Sequence, residues 1–369
     1  MRYRPGESPV LSGALKVRGD SAVLRDRWLF GRESGTFTLQ WHLTNACEFH
    51  CSHCYDRSAR SILSVDRACA ILRDFLDFCR SRRVRGHICL TGGDPFLYPG
   101  FLDLYGSIAR TGASISILGN PAPREKLTAM AEIQAPVYYQ LSLEGLPDHN
   151  DRIRGPGHFA RVVETLGILS EFGVRAHVML TLTRDNLDQV IPLGERLYGA
   201  ADRLTFNRLS QVGEGAVLTP PTRDEYIEFM RRYMVAARSN PILWFKDNLF
   251  NIVRYHYGRP FLRGCTGFGC GAAFNFVALL PDGEVHACRK FPSPIGNILE
   301  SRFQAIYDSP QAKRYRRGCD ECRPCPVRHV CGGCLAVSWG LGQDVFTQRD
   351  PHCFMGERER YLAGWRSGP

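Results

Sequence analysis

From residue 37 to about residue 206 the apolar positions switch repeatedly between two spacings, and this alternation constrains the fold most. Residues 37–43, 87–90, 114–118, 137–143, 174–182 and 203–206 read as short strands. Between them, segments near 64–79, 99–110, 122–132, 157–172 and 187–198 carry the 3.6-residue rhythm of helices. The first of these has Ser64 as a cap and Val65, Ala68, Leu72, Phe75, Leu76 and Cys79 on one face. Consecutive βα units imply a parallel sheet. Six units suit an α/β fold of the partial (β/α)6, TIM-like barrel kind, open rather than closed, with function at the carboxyl ends of the strands. After Val212 the rhythm stops. A helix near 222–238, capped by Thr222 or Asp224, leads into a Gly-, Pro- and Cys-rich segment. Metal sites, rather than a large apolar core, are expected to hold that segment.

Fifteen cysteines fall in two groups, six between Cys47 and Cys89 and nine between Cys265 and Cys353. The chain starts Met1-Arg2-Tyr3-Arg4-Pro5 and shows no apolar signal-like or membrane-spanning run. A secreted disulfide framework is therefore not the expected use of these thiols. Cytoplasmic metal binding is. Cys69, Cys79 and Cys89 sit on apolar faces and read as core residues. The net charge of +10 suits an anionic partner. Its densest cluster, Lys313, Arg314, Arg316 and Arg317, lacks interleaved aromatics and reads as a solvated face, so neither nucleic acid nor membrane is an expected partner.

Cys47-x3-Cys51-x2-Cys54 directly follows the first strand. Three thiolates can hold three irons of a [4Fe–4S] cube, whereas such a cluster normally takes four. A site one ligand short suits a cluster that binds and reductively cleaves S-adenosylmethionine (SAM), a source of radical chemistry. The second strand ends in Thr91-Gly92-Gly93-Asp94-Pro95. Paired glycines allow a ligand close to the backbone, and Asp94 with exposed carbonyls could bind an ammonium group.

The cysteine loop followed by Gly92-Gly93-Asp94-Pro95 resembles the radical SAM superfamily, in which a GGE-type strand end holds the methionine amino group. Asp94 stands where Glu is usual. His53, at a position usually aromatic, is read as packing beside the adenine. Ser142-Leu143-Glu144-Gly145, then Asn150-Asp151-Arg152-Ile153-Arg154-Gly155, is similar to the SPASM branch of that family. The resemblance implies that Ser142 contacts the SAM ribose or carboxylate and that Arg154 pairs with the carboxylate, which a guanidinium fork matches. Asn120 aligns with a TNG-like turn and is a weaker candidate.

The C-terminal cysteines resemble the SPASM pattern. That resemblance implies one auxiliary cluster on Cys265, Cys270, Cys288 and Cys334, and a second on Cys322, Cys325, Cys331 and Cys353. The Cys331–Cys334 interval is one residue short, which leaves open whether Cys334 or the extra Cys319 completes the first set. Read without the resemblance, these CxxC pairs also suit zinc. Arg289 follows Cys288, where the resemblance implies, for sulfatase-maturing members, an Asp that acts as the base. It is read either as a ligand for a substrate carboxylate or as a structural ion pair.

Three regions follow: 1–36 as an extension or hairpin, 37–235 as the partial barrel, and 236–369 as a linker helix and an auxiliary-cluster SPASM domain. The resemblance implies a maturase that abstracts hydrogen from a ribosomal peptide and forms a cysteine sulfur-to-carbon crosslink or similar oxidative change. It resembles sactipeptide-, ranthipeptide- and selenobiotic-type maturases, and more distantly the anaerobic sulfatase-maturing enzymes. It needs a flavodoxin- or ferredoxin-like electron donor. Thirty-six residues are few for the family's peptide-recognition domain, so a separate recognition protein is an expected partner. The alternatives are a maturase of a folded enzyme, sulfatase- or quinohemoprotein-like, and a non-catalytic zinc-stapled protein.

Overall fold

In β1 (Thr36–His42) the alternate residues Phe37, Leu39 and Trp41 are buried, with Thr38 and Gln40 between them on the opposite, half-open face. The computed structural model describes residues 35–357 with Arg360 and Tyr361. The expected N-terminal hairpin lies outside the described residues, except for its last two positions. β1 pairs in parallel with β2 (Arg85–Thr91), and β3 (Ser114–Leu118), β4 (Tyr139–Ser142), β5 (Ala176–Leu182) and β6 (Arg203–Arg208) follow in sequence order. These are the six parallel strands expected.

The connecting helices are α1 (Val65–Ser81), α2 (Phe101–Ala109), α3 (Arg124–Ile133), α4 (Pro147–Arg154), α5 (His158–Glu171) and α6 (Val190–Arg196). The Ser64 side chain accepts from Arg67 N at 3.3 Å and caps α1. α4 was not apparent in the sequence. It is largely polar and buries only Asn150, so it has no apolar period to read. α7 (Arg223–Ala236) closes this half. Thr222, in a capping box with Glu225, is its cap rather than Asp224.

The sheet does not end at the sixth strand. After α8 (Phe250–His256), β7 (Phe276–Leu279) adds in parallel to the free edge of β1. β8 (Glu284–His286) and β9 (Pro294–Asn297) extend it antiparallel, giving the order β6-β5-β4-β3-β2-β1-β7-β8-β9. The Cys-rich segment thus adds real core, contrary to the expectation that metal sites alone would hold it. Phe274, Val277, Leu279, Phe291 and Ile295 are buried. From α9 (Phe303–Tyr307), Phe303 packs 5.9 Å from the Phe37 ring and 4.8 Å from Phe78. This apolar joint fixes the C-terminal segment against the first barrel unit. Strands of three or four residues are too short to announce themselves by period.

α10 (Pro310–Arg317) carries the basic cluster, and α11 (Leu335–Gly340) follows. The cluster is not wholly solvated. Arg316 donates to Ala273 O at 2.9 Å and lies over the Tyr307 ring, and Arg314 lies over Phe346. Among the described residues no helix is long and apolar enough to cross a membrane.

Candidate active site

The loop from β1 to α1 lies across the carboxyl end of β2. Leu43 N donates to Thr91 O at 2.9 Å, Gly93 N to Thr44 O at 2.7 Å, and Asp94 N to Ala46 O at 2.8 Å. A Cβ on Gly92 would stand 2.3 Å from Thr44 O, and one on Gly93 would stand 2.4 Å from Ala46 O. The glycine pair therefore admits the chain's own cysteine loop, where the sequence suggested a ligand. Asp94 Oδ1 accepts from Phe96 N at 3.0 Å, and burial raises the carboxyl pKa. Asn120, beyond the end of β3, donates to Gly93 O at 3.1 Å and reaches Cys47 Sγ at 3.5 Å. Tyr139 OH fixes it by donating to Asn120 O at 2.8 Å. Asn120 is thus part of the site, although its sequence signal was faint.

Opposite it, Glu144 is buried just beyond β4. Arg154, the last residue of α4, donates to Glu144 Oε1 from Nε at 2.9 Å and from Nη2 at 2.6 Å. Its remaining nitrogen, Nη1, points to Cys51 Sγ at 3.7 Å. His53 Nε2 stands 3.1 Å from the same Glu144 oxygen. Thr181 N donates to Glu144 Oε2 at 2.8 Å. Burial alone would raise the Glu144 pKa. His53 and Arg154 outweigh it and hold the carboxyl below the usual range. The role of Glu144 is not apparent from the sequence, where the available signal is an acid just beyond a buried strand. Ser142, the last residue of β4, is half-buried nearby in sequence.

A second set of charges ties the cysteine loop to the C-terminal segment. Arg289 pairs with Asp56, and its guanidinium lies 4.9 Å from the Tyr55 ring centre. Arg60 reaches Asp282 at 2.5 Å and Glu284 at 3.0 Å. Of the two readings of Arg289, the structure shows the ion pair.

The C-terminal thiols form two neighbourhoods. Burial pushes Cys270 up to about 12, and Cys334, Cys265 and Cys288 add to the rise. Burial pushes Cys288 up to about 11, with Cys334 and Cys265 contributing. In the other neighbourhood, Cys322 is raised by its hydrogen bond to Cys319, by burial, and by Cys319, Cys331 and Cys353. Cys325 is raised by burial and, to a smaller extent, by Cys319. Cys319 therefore lies with the second group. Cys334 adds to the rise at Cys270 and Cys288, and Asp350 Oδ2 accepts from its backbone N at 2.8 Å. Cys79 and Cys89 are buried and Cys69 is partly so. Among the described residues no three His, Cys, Asp or Glu side chains converge as around a single metal ion.

The model of the radical SAM superfamily matches residues 41–197, and that of the SPASM iron–sulfur cluster-binding domain matches residues 270–334. The chain carries a radical SAM domain and a SPASM domain. It is an enzyme whose cofactors are a [4Fe–4S] cluster, SAM and auxiliary clusters. This overturns the zinc-stapled, non-catalytic alternative. The chain is 25% identical over 338 residues to the antilisterial bacteriocin subtilosin biosynthesis protein AlbA of Bacillus subtilis, covering 86% of this chain and 71% of that one. It is 29% identical over 355 residues to the mycofactocin maturase MftC of Mycobacterium tuberculosis, covering 90% and 86%. Its fold is similar to that of Streptococcus suis SuiB bound to S-adenosylmethionine, with a TM-score of 0.67 and 19% identity over 89% of this chain and 79% of that one.

The thiols suit iron chemically. Burial raises Cys47 and Cys51, and each thiolate opposes a neighbour's ionisation. An iron core would favour the thiolate form that burial and mutual repulsion disfavour.

Proposed function

We propose that this radical SAM protein is a peptide maturase, with Cys47, Cys51 and Cys54 holding the SAM-binding cluster. The observation that carries the reading is the convergence on one loop of the three cysteines, the Gly92-Gly93-Asp94 strand end, Asn120 and the Arg154–Glu144 pair. When bound, the cluster and SAM supply a reductively generated radical able to remove a hydrogen atom from carbon.

This chain's own residues position and shield. Asp94 and the carbonyls around Gly92 and Gly93 would receive the methionine ammonium. Ser142 would meet the ribose or carboxylate, and His53 would pack by the adenine. Arg154 presents Nη1 towards the cysteine loop while Glu144 fixes its plane, which orients a cation for the cofactor carboxylate. Asn120 offers an N–H to Cys47 sulfur, a contact that tunes a cluster. Cys265, Cys270, Cys288 and Cys334 take one auxiliary cluster. Cys322, Cys325, Cys331 and Cys353 take the other.

A ribosomal peptide is the substrate class supported by the AlbA and MftC likeness, and a cysteine sulfur-to-carbon crosslink or similar two-electron oxidation is the product class. The two regions 37–235 and 236–369 serve as radical-generating and auxiliary-cluster domains, with a flavodoxin- or ferredoxin-like donor in the cytoplasm. The test is co-expression with short Cys-containing reading frames neighbouring the gene, read by mass spectrometry. A peptide lighter by two hydrogens, absent with Cys47→Ala, supports the reading. Unchanged masses for every such peptide, alongside active SAM cleavage, contradict it.

A further inference from the structure

Two buried asparagines, Asn248 and Asn251, each join the same two cysteine-bearing loops. Asn248 just precedes α8 and Asn251 lies in its first turn, and they are 4% and 0% exposed. Asn248 Oδ1 accepts from Cys265 N at 2.8 Å, while its Nδ2 donates to Gly333 O at 2.7 Å. Asn251 Oδ1 accepts from Leu262 N at 2.7 Å, while its Nδ2 donates to Val330 O at 2.7 Å and to Leu262 O at 3.0 Å. The two amides thus lock the loop at 262–265 to the loop at 330–333 at both ends, which fixes their register.

A carboxamide carries a donor and an acceptor at fixed spacing on a short side chain. Both groups of each amide are in use here, and the backbone groups they meet have no easy exchange with water at this burial. Cys334 directly follows Gly333, the residue that Asn248 holds. One side chain therefore grips the backbone at Cys265 and immediately before Cys334. Cys270 N donates to Cys331 O at 2.9 Å, so a third thiol-bearing residue is tied to the same loop.

We infer that Asn248 and Asn251 are positioning residues for the auxiliary cluster on Cys265, Cys270, Cys288 and Cys334. They clamp the two loops so that Cys265 and Cys334 serve one cluster despite the short Cys331–Cys334 interval. The inference rests on the ligand assignment proposed above. The clamp is uncharged, so it sets where the thiols stand rather than how readily they ionise. Groups that orient metal ligands in this way typically cost about 10- to 100-fold in metal affinity when removed.

The experiment uses the full chain with Cys47, Cys51 and Cys54 replaced by Ala, reconstituted with iron and sulfide. It follows the two auxiliary EPR signals of the reduced protein as an iron chelator is added. Asn248→Ala and Asn251→Ala should each lose the same signal at about 10- to 100-fold lower chelator concentration than wild type, with the other signal unmoved. Asn248→Asp keeps an acceptor for Cys265 N but has no donor for Gly333 O, and should act as Ala does. Asn186→Ala is the control. This buried asparagine bonds Thr183 N, Thr181 O and Glu144 O inside the barrel, outside both loops, and its loss should leave both signals at wild-type sensitivity. Wild-type sensitivity in Asn248→Ala overturns the inference. Equal weakening of both signals, or the same weakening in Asn186→Ala, also overturns it, because the asparagines would then matter only to stability at large. Cys265→Ala and Cys334→Ala separate the inference from the ligand assignment. If they abolish different signals, the assignment is wrong and the clamp falls with it. If they abolish the same signal, the assignment stands, and the asparagine variants must weaken that signal.

Discussion

Arg154 donates two hydrogen bonds to a single oxygen of Glu144, at 2.9 and 2.6 Å, and both side chains are almost completely enclosed. The pair joins α4 to the end of β4, and through Arg154 Nη1 it reaches Cys51. Removing one partner of a buried pair leaves an uncompensated charge. Glu144→Gln should therefore destabilise the protein by about 3–5 kcal/mol, read by denaturant unfolding under anaerobic conditions. The pH dependence has a definite sign. Glu144 is depressed in the folded state, so its contribution is fully present above the ordinary carboxyl pKa of about 4.3 and fades as pH falls towards the folded value. The stability gap between wild type and variant should be constant above about pH 5 and narrow in acid. A gap that widens in acid contradicts this account.

Gly93 tests the packing of the cysteine loop. An added Cβ would meet Ala46 O at 2.4 Å and Asn45 O at 2.6 Å, both backbone atoms that a rotamer change cannot clear. Gly93→Ala should displace the loop and deplete the first cluster while the auxiliary iron remains. Iron analysis before and after mild chelation checks this. Full retention of first-cluster iron would mean that the loop accommodates the methyl group.

Much of this was legible in the sequence, for reasons that can be named. Ile115 and Ile117 alternate with Ser114 and Ser116 in β3, so the strand read correctly from its period. Cys47, Cys51 and Cys54 were readable because their spacing has few other uses. Glu144 was not, because its role comes from Arg154, on a short polar helix with no apolar period, and from His53, distant in sequence and brought to it only by the fold. The pairing of β7 with β1 was hidden for the same reason. Thr38 and Phe276 are register partners across more than half the chain. Arg289 had two readings, and only the position of Asp56 beside it decided between them.

The short Cys331–Cys334 interval yields opposed outcomes for two variants. Cys334 opposes the ionisation of Cys270 and Cys288, whereas Cys319 hydrogen-bonds to Cys322. Cys334→Ala should make one auxiliary cluster labile, with a loss of about four irons, since a cube normally takes four thiolates. Cys319→Ala should keep its iron. Mössbauer spectra of the two variants make the comparison. Loss in Cys319→Ala with none in Cys334→Ala reverses the assignment.

The central claim is that the three cysteines of the β1–α1 loop, and no others, support SAM cleavage. The direct measurement is 5′-deoxyadenosine formed from SAM with dithionite as electron donor, comparing wild type with a variant in which Cys47, Cys51 and Cys54 are all Ala. The account predicts turnover in the wild type and none in the variant, while the variant retains auxiliary-cluster iron. A triple variant that forms 5′-deoxyadenosine at the wild-type rate contradicts it.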